Sequence, residues 1–267
     1  AANLVDFDIT TNQPRVHLVI NYKSIQYKEL SVTLQMLKLQ KGITFDSLNL
    51  IIGPEQKLDF NEFDGFDDID ITLFRRNEGI SYHKALEKVS RAIGEGIIVL
   101  LSDKVYLYNA LTLRSLVDEL NNEAEIVAPL LFESKNVKGR ELLAERSLSF
   151  HIFSSQAGDR YSVGFLNSSL APNQNSFVEA TAPPLLVFDT KAGLVGVNLL
   201  NKVPSSDFIN NDAQSLFLLS YAASFSGYSV ISANRFTVGC DSLRLDAIES
   251  EWAEKVLPVV TKEWEEK

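Results

Sequence analysis

Residues 97–104 have the sequence Ile-Ile-Val-Leu-Leu-Ser-Asp-Lys, in which five apolar residues are followed at once by three polar ones. The uninterrupted apolar run Ile97–Leu101 is typical of a central parallel strand that is covered on both faces. In open α/β sheets, ligands bind in the crevice beyond the carboxyl ends of the strands. Ser102, Asp103 and Lys104 are therefore the first candidate binding residues.

On both sides of this run, short β-type runs alternate with helical patterns from Arg15 to about Ile231. No long linker rich in Pro, Gly or Ser divides them, so we predict one α/β domain over residues 1–240 and a helical tail over residues 241–267. The polar segment Phe132–Arg146 carries no strand signal, and only a short helical turn is expected after Asp189. The other predicted strands are Val16–Ile20, Leu48–Ile52, Ile69–Phe74, Glu125–Leu131, Ser149–Phe153, Tyr161–Leu166, Pro183–Phe188 and Tyr228–Ser232, and the predicted helices are Lys28–Gln40, Ser81–Ile93, Thr112–Leu120 and Asp212–Phe225.

Composition limits the classes of partner and cofactor. The 267 residues include 25 basic and 35 acidic side chains, a net charge of -10, which argues against nucleic acid as a partner. No apolar stretch approaches the roughly 20 residues that span a bilayer. Cys240 is the one cysteine, so the chain has no internal disulfide, and the three histidines are too scattered to predict a zinc site. A single cysteine is compatible with the cytoplasm but does not establish it.

The segment IIVLLSDKVYLYNALTLRSLVDEL (97–120) and the following EIVAPLL (125–131) resemble the central part of the collagen-modifying glycosyltransferases. These are procollagen galactosyltransferase and the glycosyltransferase-like and accessory domains of procollagen lysyl hydroxylase. Weaker similarity covers RVHLVI (15–20), LLVFDTKAGL (185–194) and residues 212–232. The resemblance implies a GT-A fold, in which a Rossmann-like sheet binds a UDP-sugar with manganese, and a place in the endoplasmic reticulum lumen or secretory pathway.

The chain departs from that family at its metal motif. Active members carry Asp-any-Asp at the end of the central strand, where two carboxylates hold the manganese ion that neutralises charge on the leaving diphosphate. The matching positions here are Ser102 and Lys104, and Asp103 lies between them. We therefore expect a non-catalytic accessory or binding module with no metal. One alternative is an atypical transferase in which Lys104 replaces the metal cation and which moves galactose or glucose from a UDP-sugar to a hydroxylysine-type acceptor. Another is an unrelated Rossmann-like interaction protein.

Three further features have a functional and a structural interpretation. His83 and Lys84 precede the central strand and could reach a nucleotide phosphate, but the favoured interpretation is a plain surface helix. Asp212 could be the acidic residue that some family members use beside the acceptor, or a helix N-cap. The acidic segment Asp59–Asp70 suggests calcium, but Phe63 stands where an EF-hand loop needs an oxygen ligand, so a solvated loop is the expectation.

The tail has its own helical pattern. Leu245, Ile248, Trp252 and Val256 form an apolar stripe, and Pro258 should break or restart the helix. This stripe either packs back on the domain or binds a partner. A protein partner or a second copy of the chain is expected, and the two candidate surfaces are this tail and a cleft rim at Phe150 and His151.

Overall fold

In the computed structural model, the described residues are 14–22, 27–58, 63, 65–102, 104–122, 124–137, 140–158, 160–166, 174–204, 207–240 and 248–266. The helices are α1 (Tyr27–Lys38), α2 (Tyr82–Ile93), α3 (Thr112–Asn122), α4 (Thr190–Leu200), α5 (Asp212–Phe225) and α6 (Ser250–Glu265). The strands are β1 (Val16–Asn21), β2 (Ser47–Ile52), β3 (Asp70–Arg75), β4 (Ile97–Leu101), β5 (Ile126–Val137), β6 (Arg140–Arg146), β7 (Ser149–Ser154), β8 (Tyr161–Phe165), β9 (Asn175–Phe177), β10 (Ala180–Thr181), β11 (Leu185–Asp189) and β12 (Val230–Cys240).

A mostly parallel sheet of nine strands forms the centre, in the order β3-β2-β1-β4-β11-β5-β12-β9, with β6 paired to β5. Within it β4 lies between β1, which is parallel, and β11, which is antiparallel, so that Val99 has Leu18 on one side and Val187 on the other. All five residues of β4 are buried. The prediction of a buried central strand at Ile97–Leu101 is confirmed.

Helices cover this sheet and pack tightly on one another. Helices α2, α4 and α5 contact each other, and α3 packs on β5, β11 and β12. A Cβ atom at Gly196 of α4 would collide with the backbone oxygen of Leu219 in α5. This close approach requires glycine at position 196, in a helix that runs for 11 residues where the sequence predicted only a short turn. Glycine disfavours helix locally, but here it permits helix packing that compensates for that cost.

A second sheet, in the order β10-β7-β8, shares the hydrophobic core of the first. The ring of Phe150 in β7 lies 5.2 Å from that of Phe217 in α5, edge to face. The absence of strands between Phe132 and Arg146 was a wrong prediction, because β5 continues to Val137 and pairs antiparallel with β6. Backbone hydrogen bonds between the two strands satisfy the polar backbone groups, which the side-chain pattern does not reveal.

The tail folds back on the domain as α6. Its buried face includes Val256, Val260 and Trp264. The indole Nε1 of Trp252 donates to the carbonyl oxygen of Phe208 at 2.7 Å, and that of Trp264 donates to the carbonyl of Leu199 at 3.0 Å. The helix continues through Pro258, so the expected break is wrong. Among the described residues, no helix is long and apolar enough to cross a membrane.

Candidate functional site

The connections around β1 define a crevice. From β1 the chain passes through α1 and β2 to β3 at one edge of the sheet, and β4 then returns to the other side of β1. Ligands in open α/β sheets bind where the strand order reverses in this way. Since Ile20 pairs with Leu101 in the parallel β1–β4 ladder, Asn21 and Ser102 follow side by side at the carboxyl edge.

A polar bridge joins three elements at this edge. The Oδ2 atom of Asp212, at the start of α5, accepts hydrogen bonds from Nδ2 of Asn21 at 3.0 Å and from the guanidinium of Arg76 at 2.9 Å. The Arg76 side chain, which follows β3, is only 10% exposed and that of Asp212 is 32% exposed. The Arg76 guanidinium carbon also lies 5.5 Å from the centre of the buried Tyr82 ring. We call Asn21, Arg76 and Asp212 the crevice bridge.

The position of Asp212 differs from the expected N-cap. Asn211 caps α5, because its Oδ1 accepts the backbone N–H of Gln214 at 2.8 Å. Asp212 is the first residue of the helix, so its carboxylate lies in the positive field of the helix N-terminus. The cap is displaced by one residue, and this frees the Asp212 side chain to contact the sheet edge.

At the end of β4, Ser102 faces the neighbouring strand segment. Its backbone N–H donates to the carbonyl oxygen of Pro184 at 2.8 Å, and its hydroxyl lies 3.4 Å from the carbonyl oxygens of Pro183 and Pro184. The Nζ atom of Lys104 lies 5.0 Å from the centre of the Tyr106 ring, a cation–π contact. Asp103 lies outside the described residues.

His83 and Lys84 separate on α2. His83 is fully buried, with its Nε2 within 3.1 Å of Oγ of Ser81, so its interpretation as part of a plain surface helix is wrong. Burial lowers the pKa of His83 to about 4, and the neighbouring Lys84 adds to that effect, so the imidazole is neutral at neutral pH. Lys84 is exposed. Helix amphipathicity accounts for the difference, because adjacent positions point about 100° apart.

The described residues of the crevice do not provide the two carboxylates that the family resemblance implies for a manganese ion. Ser102 and Lys104 supply no carboxylate, and the Asp212 carboxylate is already paired with Arg76. In the part of the chain that the structure describes, no cluster of three or more His, Cys, Asp or Glu side chains could hold a metal ion. The calcium interpretation of the acidic segment rests partly on residues 59–62 and 64, which lie outside the described ranges.

The predicted cleft rim is only partly a surface. Phe150 is 1% exposed, so it is a core residue and that prediction is wrong. Its neighbour His151 is half-buried, and its Nδ1 lies 3.1 Å from a carboxylate oxygen of Glu179. The alternation of side chains along a strand places these two consecutive residues on opposite faces of β7.

Sequence reasoning missed Asn21 and Arg76. The rule that was applied to β4 would have found them, because Asn21 directly follows the first predicted strand (Val16–Ile20) and Arg76 lies two residues after the third (Ile69–Phe74). Their meeting with Asp212 has no local signal, since 191 residues separate Asn21 from Asp212.

No protein-family model matches the sequence, and no curated protein matches it. Solved structures do match. The crystal structure of GalNAc-T7 with UDP, GalNAc and Mn2+ has a TM-score of 0.59 and 12% identity over 92% of this chain and 48% of that chain. A crystal structure of S. aureus TarS 1–349 has a TM-score of 0.49 and 11% identity over 93% of this chain and 65% of that one. The chain thus spans about half the length of the GalNAc-T7 chain.

At such low identity the likeness shows the fold alone. The chain has a GT-A-like fold: a central, mostly parallel sheet flanked by helices, with a C-terminal helix. This confirms the fold that the sequence predicted. The collagen-modifying branch of that fold stays a prediction.

Proposed function

We propose that this chain is a GT-A-like accessory or protein-binding module without metal-dependent transferase activity. The observation that carries the proposal is the crevice bridge. It joins the end of β1, the residue after β3 and the start of α5 at the carboxyl edge of the sheet, the edge at which ligands of open α/β sheets bind.

The first argument concerns charge. A leaving nucleoside diphosphate needs a cation that neutralises the developing negative charge, and this electrostatic stabilisation is usually the largest contribution to catalysis. By the family resemblance, the two carboxylates that would hold a metal ion are replaced by Ser102 and Lys104. The Ser102 hydroxyl lies against the carbonyl oxygens of Pro183 and Pro184.

The second argument concerns Asp212, which resembles the acidic residue beside the acceptor in some family members. The Oδ2 atom of Asp212 accepts hydrogen bonds from both Asn21 and Arg76, which holds the carboxylate at the sheet edge. Arg76 is nearly buried, so losing its partner would leave a desolvated cation, which is strongly destabilising. The ion pair therefore favours a structural role for Asp212.

A second candidate function rests on Lys104. A lysine at the end of β4 is a fixed positive charge, which can bind phosphate as a metal ion does. An atypical transferase that moves galactose or glucose from a UDP-sugar to a hydroxylysine-type acceptor would use this cation. The resemblance of residues 97–131 supports this acceptor class and a secretory location for either candidate, and the acidic net charge favours basic or neutral protein partners.

Calorimetry separates the two candidates. We expect no manganese-dependent binding of UDP, UDP-galactose or UDP-glucose to the intact chain, and no release of UDP from the sugars. Micromolar binding that occurs only with manganese would contradict the proposal. Metal-free binding and release of UDP from the sugars, both abolished by Lys104→Ala, would support the second candidate. Lys191→Ala is the matched control, because Lys191 is exposed and follows Asp189, which pairs with Ile97 at the opposite end of β4.

A further inference from the structure

Strand β3 ends the central sheet and is unusually open. None of its six residues is buried, whereas every residue of β1, two strands away, is buried. Leu73 is 38% exposed. Within the described ranges, β3 pairs with β2 alone. An edge strand of this kind presents unpaired backbone groups that can pair with another chain.

The direction of the free backbone groups follows from one hydrogen bond. The N–H of Arg76 donates to the carbonyl oxygen of Ile52 in β2 at 2.8 Å. Because backbone groups alternate in direction along a strand, Thr72 and Phe74 also face β2. The N–H and C=O groups of Ile71, Leu73 and Arg75 therefore face away from the sheet.

Charge is distributed unequally along this edge. Exposed carboxylates lie before and at its start, at Asp67, Asp68 and Asp70, and the exposed Arg75 lies at its end. The guanidinium of Arg75 donates to the carbonyl oxygens of Gly53 and Pro54, which holds it beside the end of the strand. The edge is thus acidic at its amino end and basic at its carboxyl end.

We propose that β3 is a self-association edge, on which two copies of this chain pair antiparallel about a two-fold axis at Leu73. Leu73 then lies opposite Leu73 of the second copy, and Ile71 lies opposite Arg75 of that copy, so that the outward backbone groups hydrogen-bond in pairs. The antiparallel arrangement brings the acidic end of each edge to the basic end of the other. A parallel arrangement would place like charges together, which is destabilising. The contact is isologous, so it closes at two copies.

Sedimentation velocity of the intact chain over a range of concentrations tests the proposal. We expect a monomer–dimer equilibrium, and Leu73→Lys should weaken it at least about tenfold, since lysine on an edge strand opposes pairing. Phe177→Lys is the matched control: it makes the same kind of change on β9, the strand at the other end of the sheet, where Phe177 is 62% exposed. A monomer at all concentrations overturns the proposal, and so does a dimer that only Phe177→Lys disrupts.

Two further tests do not require a substitution at Leu73. One reverses the charges at positions 70 and 75, and the other measures amide hydrogen exchange along β3. Asp70→Arg alone should weaken the dimer, and Asp70→Arg combined with Arg75→Asp should restore it. Amide exchange at Ile71, Leu73 and Arg75 should slow as protein concentration rises, while exchange at Thr72 and Phe74 stays constant. Dimers without this alternating pattern would show that association uses another surface.

Discussion

The buried imidazole of His83 makes the stability of the fold depend on pH. Its pKa is lowered to about 4 in the folded protein, chiefly by burial, whereas an unperturbed histidine has a pKa near 6.5. Below about pH 6.5 the unfolded chain binds a proton that the folded chain does not, so stability falls until the pH reaches about 4. Between about pH 7 and about pH 5, we expect His83 to lower the free energy of unfolding by about 2 kcal/mol.

Urea unfolding of the wild type and of His83→Gln at the two pH values measures this contribution. The variant should lose less stability on acidification than the wild type. His17, whose pKa is also lowered by burial, is present in both proteins, so its contribution cancels in the comparison. Equal losses in the two proteins would show that His83 titrates normally.

Single residues also show where sequence reasoning stops. The Asn-Asp pair at positions 211 and 212 correctly predicts the start of a helix there, but either side chain is a good N-cap. The structure uses Asn211 as the cap, and this leaves Asp212 for the contact with Arg76. The contact that distinguishes Asp212 from Asn211 is made with Arg76, which lies 136 positions away in the sequence. No local sequence pattern could therefore have predicted which of the two residues is the cap.

At the scale of elements, apolar patterns predicted the strands that are buried on both faces. The bounds of β4 are those that the sequence predicted, because five consecutive apolar residues are bounded by Gly96 and by polar Ser102. The pairing of β5 with β6 was missed, since residues 132–146 show no regular alternation of apolar and polar side chains. Helix α6 was predicted, but its passage through Pro258 depends on tertiary packing.

Two adjacent valines of α6 offer a matched test of its packing. Val260 is fully buried against the domain, and Val259 is 49% exposed. Val260→Asp should lower the free energy of unfolding by about 3–5 kcal/mol, because it leaves an unpaired charge in the core. Val259→Asp should change it by no more than about 0.5 kcal/mol. Urea unfolding measures both values.

Light scattering on the same two variants tests the alternative interpretation of the tail. If α6 bound a partner copy through its exposed side, Val259→Asp would dissociate that assembly and leave the fold intact. Because the apolar face of α6 is covered by its own domain, we expect Val259→Asp to leave the molar mass unchanged.

At the scale of the whole molecule, the position of the crevice follows from the order and connections of the strands and not from a sequence motif. The reversal of strand order between β1 and β4 brings Asn21 beside Ser102, and α5 then supplies Asp212 from a distant part of the chain. Sequence could predict the edge at which these residues meet, because parallel strands share their carboxyl ends. The ion pair between Asp212 and Arg76 depends on the tertiary packing that places the start of α5 at this edge.

The same packing predicts that the domain and its tail unfold together. Both tryptophans of the chain lie in α6: Trp252 contacts Phe217 at 5.7 Å between ring centres, and Trp264 contacts Tyr221 at 5.6 Å. Both partners belong to α5, which is part of the common core. Tryptophan fluorescence therefore reports on α6 and its contacts, whereas far-ultraviolet circular dichroism reports on all helices and strands. We expect the two signals to give one urea midpoint, as cooperative two-state unfolding requires.

The variant Trp252→Phe, in which Trp264 is the one remaining indole, extends this test to the end of the helix. Its fluorescence should change at the same urea concentration as its own circular dichroism, even if the substitution shifts both midpoints. A fluorescence transition that comes first, with the circular dichroism largely retained, would mean that α6 detaches before the sheet unfolds. The tail would then be an independent unit whose apolar face becomes available to a partner, contrary to its packing on α5 and to the hydrogen bond from Trp264 to Leu199.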